Sequence, residues 1–105
     1  MSPTGNGDPR YRVTTPGAAL AAIREIHRRA RELGVAPAVL AALRTINRRL
    51  QDEPTTFGEP LYPLTTLQLY VRHAAVRPLS VTYGVHQQRP LVIVLQMHLM
   101  WVPGA

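Results

Sequence analysis

Residues 67–99 read LQLYVRHAAVRPLSVTYGVHQQRPLVIVLQMHL, and this stretch decides the fold. Leu67, Leu69 and Val71 alternate with Gln68, Tyr70 and Arg72, and after a break Leu79, Val81, Tyr83 and Val85 repeat the pattern. A two-residue apolar period predicts a strand with one covered face. The run from Leu91 to Leu95 is apolar at every position, which predicts a strand covered on both sides and therefore inside the sheet. The connections are only a few residues long, too short for parallel crossovers, so the three strands are expected to be antiparallel. Among them lie Arg72, His73, Arg77, Tyr83 and His98, with a single carboxylate, Glu59, just upstream. Any chemistry is expected there.

Upstream the period changes to that of helices. Ala19, Ile23, Ile26, Ala30 and Leu33 recur at spacings of three and four, and Gly34 follows as a left-handed stop. Thr15 is the expected cap of this helix, with Pro16 at its first position. Pro37 starts a second helix, on which Val39, Leu43, Ile46 and Leu50 share a face until Pro54 forbids continuation. So short a link forces a helical hairpin with two apolar faces in need of cover. Arg10 to Val13 reads as a short strand that must pair at the edge of the later sheet. Pro54 to Pro63 reads as a proline-rich connector anchored on the core by Phe57. Pro78 fits an edge position or a bulge better than a central ladder, and Gln87 to Pro90 reads as a turn. Residues 1–9 are expected to be a flexible lead-in, 10–101 one domain and 102–105 a tail, with Trp101 covering an open end of the core. The order strand, two helices, three strands predicts a two-layer α+β fold, a helical hairpin packed on an antiparallel sheet.

At 105 residues, 46% of them hydrophobic, the chain can bury one core. Cysteine is absent, which excludes disulfides and thiolate catalysis and fits a reducing compartment. No basic-then-apolar leader and no apolar run near the ~20 residues of a bilayer span is present. The expectation is a soluble, cytoplasmic protein. Four scattered histidines with one nearby carboxylate do not form a metal site, and His27 and His86 look incidental.

The net charge of +6 is carried by arginine alone, for the chain has no lysine. Guanidinium groups bind phosphates bidentately and stack on bases, so a nucleic-acid partner is compatible with this composition, as is a GC-rich coding sequence. On the helices, Glu25 and Arg29, Arg28 and Glu32, Arg48 and Asp52, and Arg49 and Glu53 are spaced for pairs worth ~0.2 to 0.5 kcal/mol each. Arg24, Arg31 and Arg44 have no such partner. With Arg89 they are the candidate nucleic-acid contacts.

The element order, with Leu50 to Pro54, the connector Phe57 Gly58 Glu59 Pro60 Leu61 and Leu64, the strand Leu69 to Arg72, the segment Arg77 to Val85 and a last strand ending in His98, resembles the RelE/ParE superfamily of bacterial type II toxins. The resemblance implies the RelE-like fold over nearly the whole chain and a cognate antitoxin as partner. RelE-like and YoeB-like members are ribosome-dependent endoribonucleases acting on mRNA, whereas ParE-like members inhibit DNA gyrase. Metal-independent cleavage by a 2′-hydroxyl needs a base, cations around the phosphorane and an acid for the leaving oxygen. By resemblance, Arg72 and Arg77 clamp the phosphate, His98 and Glu59 act as acid and base, Tyr83 is structural, and no cofactor is needed. The chain departs from the family pattern where Ser80 stands three residues before Tyr83 in place of arginine, and where Leu99 follows His98 in place of tyrosine. Two alternatives stay open: a non-catalytic interaction module of the same fold, including a ParE-like gyrase inhibitor, and a general nucleic-acid-binding domain.

Overall fold

A computed structural model describes residues 10–100. The chain is α+β: β1 (Arg12–Thr14), α1 (Gly17–Leu33), α2 (Ala36–Asp52), the one-turn α3 (Pro54–Phe57), β2 (Glu59–Leu64), a 3-10 turn (Thr65–Leu67), β3 (Leu69–Val76), β4 (Leu79–His86) and β5 (Leu91–Leu99). The strands form one sheet in the order β1-β5-β4-β3-β2. The all-apolar strand does lie inside it, between β1 and β4. Expected as antiparallel, the sheet is mixed, because β1 runs parallel to β5 with Val13 opposite Val92.

The helical hairpin forms as its stripes predict, except that Leu33, at the end of the α1 stripe, is exposed. Gly34 takes φ 76°, and its amide and that of Val35 turn back to the carbonyls of Arg31 and Ala30. Ala19, Ile26 and Ala30 of α1 and Val39, Ala42, Ile46 and Leu50 of α2 are buried against Leu79, Val81, Tyr83 and Val85 of β4 and Val92, Val94 and Met97 of β5. The start of α1 differs from expectation: Pro16 is the flanking residue, its carbonyl accepts from the Leu20 amide at 2.9 Å, and Thr15 makes no capping bond.

The proline-rich connector is also more ordered than its composition predicts. Pro54 sits at the first turn of α3, where a missing amide costs nothing. Pro60 and Pro63 belong to β2, which pairs with β3 alone. An edge strand has one side free of ladder bonds, so proline is tolerated there as it is not in a central strand. Pro78 lies outside the ladder, in the two-residue turn Arg77-Pro78 between β3 and β4.

Register corrects which face is which. Opposed residues of paired strands share a face, so Tyr70, Arg72, Ala74 and Val76 of β3 stand with Val85, Tyr83, Val81 and Leu79 toward the helices. Leu69 and Val71, the apolar members of their strand, pair with His86 and Gly84 on the face away from the helices, where Tyr62 and Leu64 of β2 stand opposite them. Alternation showed that one face of this strand is buried, and both residues are. It did not show which layer buries it.

No helix among the described residues is long and apolar enough to cross a membrane. Trp101 and both terminal segments lie outside the described residues.

Candidate nucleic-acid interface

Arg72 is held by local structure. Its register sends it under α3, where Nη2 donates to the Gly58 carbonyl at 2.6 Å. Beside it the Tyr83 hydroxyl accepts from the Gly58 amide at 2.9 Å and donates to the Pro54 carbonyl at 2.7 Å. Phe57 does anchor this segment: its ring stacks on Tyr83 with centroids 6.0 Å apart, and the Arg49 guanidinium, paired with Glu53, lies over the ring 4.7 Å from its centroid. Burial pushes the Tyr83 phenol above its ordinary value, only partly opposed by the Gly58 amide and the Arg72 charge. The family-derived phosphate clamp is therefore, in this fold, a brace that ties α3 and β2 to the sheet.

The other expected site residues are distributed by the same register. Glu59, His73, Thr82 and Gln96 form one row across the open face, and His73 Nδ1 lies 3.0 Å from Thr82 Oγ1. Ala75, Ser80 and His98 form the next row. Arg77 is exposed in the hairpin turn just beyond it, beside which β5 ends, the Met100 amide donating to the Pro78 carbonyl at 2.7 Å. Arg77 and His98 thus share one end of the sheet. Glu59 is three strands from His98, about 14 Å across the sheet at a strand spacing of ~4.8 Å, and two residues further along it, and Arg72 is on the opposite face. The four do not converge on one phosphodiester. Among the described residues no cluster of three or more histidine and acidic side chains offers a metal site.

A different arrangement is built at the far end of the sheet, where β1 begins beside the start of β5. The Arg12 amide donates to the Pro90 carbonyl and the Leu91 amide to the Arg89 carbonyl, both at 2.8 Å. His86 shapes the turn between β4 and β5 by accepting the Gln88 and Arg89 amides on Nδ1, both at 3.1 Å. The result is a cleft of about 330 Å³ lined by Arg10, Arg12, Arg89, Pro90 and Leu91. Arg10 is positioned by Asp52, 3.0 Å away, while Arg12 and Arg89 have no carboxylate within 4.0 Å among the described residues. Asp52 was expected to pair with Arg48, and Glu25 with Arg29. The structure pairs Asp52 with Arg10 and gives both Glu25 and Glu32 to Arg28.

Of the arginines singled out in the sequence, Arg89 alone reaches this cleft. Arg24, Arg31 and Arg44 are exposed on the helices and line none of it. Arg10 and Arg12 were missed, although their spacing held the signal: in an extended segment residues two apart share a side, and Tyr11 between them takes the other. Tyr11 accordingly lines a second cleft, of about 280 Å³, with Tyr70, Arg72 and Gln87.

No protein-family model matches the chain, and no curated protein matches it. Its functional reading rests on this geometry.

Proposed function

We propose that this protein binds a polynucleotide through its phosphate backbone, at the end of the sheet formed by β1 and the turn before β5. The observation that carries this reading is the convergence of Arg10, Arg12 and Arg89, from segments almost eighty residues apart, around one cleft. Two of the three guanidinium groups have no carboxylate partner among the described residues, on a chain with a net charge of +6. Planar forks of this kind match phosphate oxygens bidentately. The reading extends one of the alternatives that the composition left open, a nucleic-acid-binding domain. The resemblance to RelE/ParE toxins adds an antitoxin as a candidate partner.

The test is anisotropy of a fluorescent 12-nucleotide RNA titrated with protein at several salt concentrations. Wild type is expected to bind with a dissociation constant of about 1 to 100 μM near physiological salt and to weaken steeply as salt rises. Arg12→Gln and Arg89→Gln are each expected to weaken binding and to reduce the salt slope by about 1. A wild-type protein that leaves the anisotropy flat at 50 mM salt, or a double variant with the parental slope, removes the reading.

A second reading is RelE-like RNA cleavage, or ParE-like inhibition of gyrase. The proximity of Arg77, Ser80 and His98 at the opposite end of the sheet favours the first of these. The arginine cleft takes no part in it, since Leu91 and His98 are roughly 23 Å apart along β5 at ~3.3 Å per residue. Cutting of mRNA on purified ribosomes by wild type, lost in His98→Ala and Arg77→Ala, is its expected result, and intact message with wild type ends it.

A further inference from the structure

We infer that the second cleft, between Tyr11 and Tyr70, takes a single unstacked base, so that the polynucleotide bound at the arginine end is single-stranded. This deepens the proposed function and rests on it. The cleft's volume of about 280 Å³ is at the lower limit of ligand pockets, which run from ~300 to 1,000 Å³, and suits one planar ring system rather than a large cofactor. Two half-buried tyrosines line it, Tyr11 from the segment just before β1 and Tyr70 from β3, and a tyrosine ring is an apolar plane with one polar end. Arg72 lines it as well. The brace on Gly58 uses Nη2, and the Arg72 Nε–H is left buried without an acceptor. A ring nitrogen or carbonyl oxygen on a base edge is the kind of acceptor that matches a guanidinium fork lining such a cleft.

The two clefts are neighbours by construction. Arg10 and Arg12 line one and Tyr11, between them, the other; Arg89 lines the first and Gln87, two residues earlier, the second. The clefts open on opposite sides of this segment, so a strand whose phosphates lie on the arginines reaches the tyrosine cleft by turning over the end of the sheet. A paired base inside a duplex cannot enter such a cleft without being flipped out. Base-aromatic stacking is tolerant of sequence because every base has a π-face, so the cleft selects single strands without reading a particular sequence.

The experiment compares three probes of one sequence by anisotropy: a 12-nucleotide single-stranded RNA, its duplex, and the same single strand with abasic sites. Wild type is expected to prefer the intact single strand over both others by about 5- to 100-fold, the scale of one stacked base. Tyr70→Leu, which keeps apolar bulk, is expected to lose that preference with an unchanged salt slope, and Tyr70→Phe to retain it. A wild type that binds all three probes equally, or a Tyr70→Leu protein that keeps the preference, overturns the base cleft and leaves phosphate binding standing. A wild type that binds none of them overturns both. Circular dichroism of each variant separates a binding loss from a folding loss. A Tyr70→Leu protein that is unfolded is replaced by Tyr11→Leu, for which the same outcomes hold.

Discussion

Gly58→Ala is expected to lower stability by about 3 kcal/mol, the sum of an overpacking cost and a damaged hydrogen bond. Gly58 is buried where the chain leaves α3 for the sheet, and a Cβ there meets the His73 carbonyl oxygen at 2.7 Å and the Tyr83 hydroxyl at 2.8 Å. Neither neighbour can yield cheaply. The first is backbone in the β3 ladder, and the second is fixed by its own bonds to the Gly58 amide and the Pro54 carbonyl. Gly84→Ala is the control: its nearest neighbour is the Leu69 side chain, with Cδ1 at 2.9 Å, which has rotamers to give, and the expected cost is about 1 kcal/mol. In a domain whose whole stability is ~5 to 15 kcal/mol, the first loss shifts a thermal midpoint by on the order of 15 °C. Urea or thermal unfolding followed by circular dichroism reads both, and equal midpoints for the two variants would contradict the close approach at Gly58.

Tyr83→Phe is expected to cost about 2 to 4 kcal/mol although it removes a single oxygen. The ring remains and still stacks on Phe57. What disappears is the group that both accepts from Gly58 and donates to Pro54, so one buried N–H and one buried C=O lose their partner together. The same residue makes stability depend on pH in the alkaline range. Burial raises the phenol above its ordinary value of 10.0, so above about pH 10 the unfolded chain loses this proton before the folded one does. The neutral phenol of Tyr83 therefore stabilises the folded state fully below that pH, and this contribution is lost as pH rises through the raised folded-state value. Urea midpoints between pH 8 and pH 11 are expected to decline in wild type, and to decline less steeply in Tyr83→Phe from a lower start. Parallel curves would show that the buried hydroxyl does not titrate with unfolding.

Both predictions concern the same knot of residues, and it explains why the expected catalytic set did not assemble. Arg72 has the chemistry of a phosphate clamp, but in this chain its Nη2 is occupied by the Gly58 carbonyl and its position is under α3. Ser80 stands where the resembled family carries a second arginine, and it is nearly buried beside His98. The arginines that meet around one cleft lie instead at the opposite end of the sheet, Arg10, Arg12 and Arg89.

From the order of residues alone, the two helices with their buried stripes, the stop at Gly34, the three long strands, the interior place of β5 and the anchoring of Phe57 were all legible. Each depends on periodicity or on a glycine or proline acting over a few residues, and such forces are local. Tertiary structure alone decided that β1 runs parallel to β5, that Pro60 and Pro63 lie in an edge strand, and that Leu69 and Val71 face away from the helices while Arg72 faces them. The physical reason is that a two-residue period sorts a strand's side chains into two sets without saying which layer meets which set. That choice belongs to strand register, which is set by residues far apart in the chain, and it determined which arginines meet around one cleft.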